Sequence, residues 1–419
     1  METPQSKPDA KAFARLLALA GVLGVAVALV YLGFEYSMEH ARHWLWHTLP
    51  GGSPSWWQSV AIAAVGALLL GLALRFLPGH GGPHPADSHG PLAASDPSQA
   101  RPRVVASVLV VGFIGLAFGA SLGPEGALLP AIGLMSMLAA RAAGVEGRAS
   151  ELIRGAGLGA LIASMFGSPL AGVVPLLELV PVQPGAAMAM LVLPALTASS
   201  TAAITLQTLS VHATGALPFT YDHFRPMHLV WAVLIGVVAG FAGLQLDRLV
   251  RLLRPVTLRI EQRSVVLVSV IGGVVLGLLY ALGGESVRFS GIPELLHAVS
   301  DTDSAWRALF LSALKLLVTA WCLAVGYRGG KIFPAAFIGG TAGLALHLAI
   351  PAIPVEVAWG VGLAGAMATA LGTPVLAVLI VASIESPAML PLAVIGVVAA
   401  HTVHLLGDQL RAVSEAAAA

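Results

Sequence analysis

The sequence predicts an all-α polytopic membrane protein, and three observations carry that reading. Only 10% of its 419 residues are charged, while 57% are hydrophobic; soluble domains carry about 25% charged residues. Uncharged runs cover residues 16–34, 104–124, 155–177, 226–246, 264–284, 332–355, 357–384 and 386–407. Each is near the roughly 20 residues that a helix needs to cross a bilayer core. The third observation is one of exclusion. A net charge of +1 without a basic run leaves no footprint for nucleic acid. A single cysteine, Cys322, rules out an intramolecular disulfide, a Cys-rich zinc site and an iron–sulfur cluster.

In chain order, residues 1–15 read as a cytoplasmic N-terminal tail carrying Lys7, Lys11 and Arg15. The apolar run 16–34 exceeds the roughly 7–15 residues of a signal-peptide core, and no small-residue cleavage site follows it. It is expected to be a retained first helix. The next loop, expected over 35–56, holds only Arg42, whereas 247–263 carries Arg248, Arg251, Arg254, Arg259 and Arg263. Basic residues mark the cytoplasmic face, so the N-terminus is expected inside and the chain in the cell membrane. Trp44, Trp46, Trp56 and Trp57 suit the opposite interface. Residues 78–102 form a polar linker with six prolines and three histidines. The uncharged run 179–221 is too long for one helix and is expected to hold two. Residues 16–407 then make one membrane domain, with 408–419 as a short C-terminal tail.

Glycine and proline interrupt the apolar segments in a pattern. Residues 118–133 read FGASLGPEGALLPAIG and 167–179 read GSPLAGVVPLLEL. In the second half, 326–340 read GYRGGKIFPAAFIGG and 372–385 read GTPVLAVLIVASIE. Pro130 and Pro169 are 39 residues apart, Pro334 and Pro374 are 40 apart. Chance recurrence in Gly-rich helices is the rival reading. Paired interruptions in both halves are nevertheless the best sequence pointer to a transporter's binding site. A helix that begins inside the membrane exposes unpaired N–H groups and the positive end of its dipole. In hydrocarbon such ends must face protein, water or ligand, and the ligand they favour is an anion.

Glu125 sharpens this. It is a lone carboxylate between two Gly-rich turns, preceded by 21 uncharged residues, and intramembrane carboxylates are functional by default. It sits where a transported anion would sit, and protonation would release it. A glutamate that merely caps its helix is the alternative.

At these residues the sequence resembles the CLC family of chloride channels and proton-coupled chloride transporters. The family's Gly-(Lys/Arg)-Glu-Gly-Pro motif is similar to Gly123-Pro124-Glu125-Gly126-Ala127, which puts the gating glutamate on Glu125. Pro169-Leu170-Ala171-Gly172 resembles its Pro-Leu-Ala-Gly helix, and Gly330-Lys331-Ile332-Phe333-Pro334 its Gly-x-Phe-x-Pro motif. Pro374-Val375-Leu376-Ala377 resembles the later Pro-Leu-Thr-Gly element. The resemblance covers roughly residues 70–400. It implies two inverted repeats of broken and re-entrant helices, over about 60–210 and 226–407, and a homodimer with one pore per subunit. It implies an inorganic anion, chloride first, held at Gly123, Gly126, Ile332, Phe333 and Pro334.

The family's first motif, Gly-Ser-Gly-Ile-Pro, falls on Gly79-His80-Gly81-Gly82-Pro83, which makes His80, Gly81 and Gly82 candidates for the anion site. A literal Ser290-Gly291-Ile292-Pro293 stands at the repeat counterpart, and Ser290 is a secondary candidate. The departures are Pro124 for the basic residue, Leu179 for the internal proton acceptor beside Glu178, and His401 and His404 where the pore tyrosine would lie. They imply weak proton coupling, with Glu178 as the remaining candidate relay.

Other groups read as follows. His40, His43 and His47 with Glu39 lie on one helical face, but two turns of one helix seldom close a tetrahedral metal site alone. They read as interfacial residues, so no metal or cofactor is expected. Lys315 reads as a snorkelling lysine, Glu285 and Arg288 as a local pair, and Lys331 as a source of positive potential at the pore. Two rivals stay open: proton-coupled exchange of chloride, fluoride or another anion, and an intramembrane enzyme. For the enzyme, no His-Glu-x-x-His helix exists, and Ser168 with His401 or His404 is the only loose dyad. Not an enzyme is the expectation. A small-residue face around 187–203 is the expected dimer contact.

Overall fold

Helix boundaries follow local chemistry throughout the computed structural model, which describes residues 10–79, 84–87, 97–179, 186–210, 221–291, 294–296, 298 and 302–418. Helix α1 (Ala10–His43) runs on through Glu35, Glu39 and Arg42 and ends in a π-helical turn, Trp44–Thr48. The loop expected from residue 35 is therefore much shorter. A charge ends an apolar run, but it does not end a helix. Helix α2 (Trp56–Phe76) starts where the Ser55 N–H donates to Gln58 Oε1 at 2.8 Å, a reciprocal cap. Then come α3 (Pro102–Ala117), α4 (Glu125–Ala142), α5 (Arg148–Phe166), α6 (Pro169–Leu179) and α7 (Ala186–Thr208).

The second half opens with α8 (Met227–Glu261), whose last half carries the arginines, and α9 (Val265–Gly283), capped by Ser264 accepting from Leu267 N–H at 3.2 Å. It continues with α10 (Ala305–Val325), α11 (Ile332–Ala349), α12 (Val355–Leu371), α13 (Pro374–Ile384) and α14 (Leu390–Ala418). The expected breaks are real. Helices α5, α10 and α12 stop at Gly167, Gly326 and Gly372, all with positive φ. The uncharged runs 155–177 and 357–384 are each divided between two helices at these breaks. In 179–221 the described residues hold one complete helix, α7, and residues 180–185 and 211–220 lie outside the described residues.

Among the described residues, eight helical segments are long and apolar enough to cross a membrane. Their packing repeats. In the first half α3 packs on α4, α4 on α5, α5 on α6 and α7, and α1 on both α5 and α7. Each pairing recurs seven elements later, as α10 on α11, α11 on α12, α12 on α13 and α14, and α8 on both α12 and α14. Helices α2 and α9 pack on each other across the two copies. Lipid supplies no hydrophobic force between helices, so close approach at small residues takes its place.

That principle is visible in α7. Ala195, Ala198, Ser199, Ala202 and Ala203 of α7 are buried inside the subunit. A β-carbon on Gly24 of α1 would lie 2.2 Å from the Ala198 carbonyl oxygen, so small residues let α1 and α7 approach closely. Two expectations change. Trp46 is fully buried, unlike the exposed Trp44, Trp56 and Trp57, and its indole donates to Ala117 O at 3.1 Å. Lys315 does not snorkel. It is 0% exposed, and Nζ donates to the carbonyls of Val287, Arg288 and Phe289 at 3.2, 3.0 and 2.9 Å.

Candidate functional site

The two Gly-rich breaks meet. Helix α3 ends at Ala117, and its open C-terminal carbonyls find partners: Ala117 O accepts from Trp46 and Gly119 O from the Tyr280 hydroxyl. The chain then turns through Ser121, whose buried hydroxyl donates to Val287 O at 3.2 Å. Residue Gly123 pairs with Gly330 from the other half, N–H to carbonyl both ways at 2.8 Å. Immediately after this bridge each segment begins a helix, α4 at Glu125 and α11 at Ile332. A helix starting here leaves N–H groups without intrahelical partners.

Glu125 answers one of them. Its Oε1 accepts from the Ile332 N–H at 2.8 Å, across 207 residues of sequence. The side chain is 2% exposed, and Oε2 is buried with no hydrogen-bond partner. The first glutamate of one broken helix thus lies on the positive end of the other, where an anion is favoured. Two glycines make the space. A β-carbon on Gly123 would lie 1.9 Å from Glu125 Oε2, and one on Gly330 would lie 2.1 Å from both Oε1 and Cδ.

The other candidates divide. Ile332, Phe333 and Pro334 form the first turn of α11, with Phe333 5.5 Å from the Phe166 ring. Pro334 has no N–H to lose there. Gly126 works by close approach, since a β-carbon on it would fall 2.0 Å from the Gly329 carbonyl carbon. The Gly123 N–H is not open to an anion, because Gly330 O accepts it. Ser290 is half-buried. Its neighbour Gly291 packs on Phe337 and Lys315 and donates its N–H to Glu294 Oε2 at 2.9 Å. His80, Gly81, Gly82 and Pro83, like Ile292 and Pro293, fall outside the described residues.

Glu178 repeats the theme at a second helix start. Its carboxylate accepts from the Val375 and Leu376 N–H groups of α13 at 2.7 and 3.2 Å. Glu285 lies 3.7 Å from Arg288, as the local pairing anticipates. Ser168 Oγ accepts from Ala171 N–H at 3.4 Å, while the His401 and His404 rings face each other 5.6 Å apart. No dyad forms. Among the described residues no three His, Cys, Asp or Glu side chains cluster as metal ligands.

Sequence reasoning missed two neighbours of the site. Glu35 and Tyr31, one turn apart on α1, lie close enough to Glu125 to interact with it electrostatically. Glu35 sat in an expected loop, and nothing in its local pattern pointed across the fold. The bridge between Gly123 and Gly330 was equally silent, although both glycines stood inside recognised breaks.

Comparison with known proteins shows the family and the fold. The sequence model of a family described as voltage gated chloride channel matches residues 65–404. A protein named "Putative ion-transport protein YfeO" from Salmonella schwarzengrund (strain CVM19633) is 30% identical over 367 residues, covering 84% of each chain. Its namesake in Salmonella newport (strain SL254) matches to the same extent. Among solved structures, a slow cyanobacterial Cl−/H+ antiporter superposes with a TM-score of 0.80 at 18% identity, over 93% of this chain and 94% of that one. A CLC-type fluoride/proton antiporter gives 0.76 at 19% identity, over 94% and 96%. The fold is therefore the CLC transporter fold, and the chain belongs to the voltage gated chloride channel family, whose members are anion channels or transporters.

Proposed function

We propose that this protein passes chloride or a similar small anion across the cell membrane, with Glu125 as the gate. One observation carries the reading: the Glu125 carboxylate accepts the first N–H of α11, a position that suits a dehydrated anion. Carboxylate and anion compete for it. Protonation neutralises the carboxylate and weakens a charge-assisted hydrogen bond, so the side chain leaves and the anion enters. Flux rises as pH falls. Backbone donors then replace the anion's water, the inverse of carbonyl-lined cation filters. Anion uptake into proteoliposomes containing the purified chain tests this, and absence of uptake at any pH refutes it.

Proton-coupled exchange is the second reading. Two solved neighbours are named as antiporters for chloride or fluoride with protons, and Glu35 of α1 supplies a second carboxylate whose charge acts on Glu125. Glu178, the relay candidate, spends its carboxylate on the start of α13, which supports a capping role. The repeats are proposed to be α1–α7 and α8–α14. A homodimer with the N-terminus in the cytoplasm completes the proposal.

A further inference from the structure

Asp247 Oδ1 and Lys331 Nζ are 2.8 Å apart, with side chains 47% and 20% exposed. Lys331 is the residue on which α11 begins, directly before Ile332. A cation at a helix N-terminus opposes the helix dipole, so this lysine works against α11 and in favour of an anion drawn to it. Asp247 belongs to the half of α8 that carries Arg248, Arg251, Arg254 and Arg259. Thr257 of the same half donates to Ala324 O, near the end of α10, at 2.7 Å. The 326–331 turn therefore leaves α10 on the arginine-bearing side of the molecule. Charged side chains against lipid are expensive, so a partly exposed pair next to the buried Glu125 faces water.

We propose that Lys331 and Asp247 lie at the arginine-side mouth of the anion pathway and together set how strongly that mouth attracts anions. Lys331 supplies the attracting charge and Asp247 offsets part of it. The inference rests on the reading of Glu125 and Ile332 as the anion site. Other charges belong to the same region: Arg248 donates to Gln245, and Arg254 pairs with Glu261. Neither stands at the head of α11. The same contact also fits a plain staple between α8 and α11, and the two roles predict opposite patterns. Breaking a staple from either end acts in one direction. Changing a mouth charge acts in a direction set by its sign.

The test uses the full chain in oriented proteoliposomes, with chloride and fluoride flux measured against anion concentration on the arginine-bearing side. Lys331→Gln is expected to raise the half-saturating concentration about three- to tenfold. Asp247→Asn is expected to lower it by a comparable factor, Lys331→Arg to leave it near wild type, and the double variant to fall between the single ones. All shifts shrink when an impermeant salt raises ionic strength. Shifts of Lys331→Gln and Asp247→Asn in the same direction, or no shift in either, overturn the mouth charge while leaving the anion site intact. A wild type that passes neither anion overturns the site and this inference together. Thermal midpoints in detergent guard against misfolding, and a variant that fails to fold is replaced by Lys331→Met or Asp247→Ser.

Discussion

Replacing Gly330 with alanine places a methyl carbon 2.1 Å from Glu125 Cδ and Oε1 and 2.2 Å from Cγ, where ordinary contact begins at 3.4 Å. These three nearest atoms all belong to one flexible side chain, so the bridge to Gly123 survives and Glu125 moves away. The methyl also denies the vacated place to an anion, which must sit near Oε1 to accept the Ile332 N–H. A hydrogen bond to a charged group contributes about 1.5–3 kcal/mol, so occupancy falls roughly 10- to 150-fold. Gly330→Ala is therefore expected to fold, to lose at least about tenfold in flux, and to lose its response to pH. Gly126→Ala differs in kind. Its methyl would meet the Gly329 carbonyl carbon at 2.0 Å and the Gly330 nitrogen at 2.4 Å, and no side-chain rotation relieves a clash with backbone. That variant is expected not to accumulate as folded protein. Thermal melting in detergent and anion flux in liposomes read both outcomes. A folded Gly330→Ala protein with wild-type flux and pH profile would refute the shared position of carboxylate and anion.

Three further outcomes follow from single contacts. Glu178→Ala removes the acceptor for Val375 and Leu376 N–H and should cost about 1–2 kcal/mol in thermal stability while leaving the pH profile of flux unchanged. Loss of proton movement in that variant, with anion flux retained, would assign Glu178 to a relay instead. Lys315→Met strands three buried carbonyls of residues 287–289 and should destabilise the protein by about 3 kcal/mol, read from its unfolding midpoint. Trp46→Phe keeps the ring in the core but leaves Ala117 O without its donor, for a loss of about 1–2 kcal/mol by the same measurement.

Much of the architecture was legible because glycine and proline punctuate helices by local chemistry. The breaks at 118–124, 167–168, 326–331 and 372–373 needed no tertiary information, and neither did Glu125 as a carboxylate at a helix start. What stayed hidden depends on contacts between distant residues. Nothing local says that Ile332 donates to Glu125, that Gly330 consumes the Gly123 N–H, or that Asp247 reaches Lys331. Single-residue expectations failed where burial decided the role. Trp46 and Lys315 both carry a polar group that finds a carbonyl deep in the fold, so neither takes the interfacial place that its residue type suggests.

Flux against pH for wild type and Glu125→Gln tests the central claim most directly. Glutamine keeps the size of the side chain and matches the neutral, protonated carboxyl, so no charge remains to compete with the anion. Wild-type flux is expected to rise as pH falls. Glu125→Gln is expected to carry equal or greater flux with a flat profile, and any proton movement present in the wild type should vanish. A capping glutamate would instead lose at most about 1 kcal/mol of stability on substitution and keep its pH dependence. An unaltered pH profile in the Glu125→Gln protein would contradict the gate.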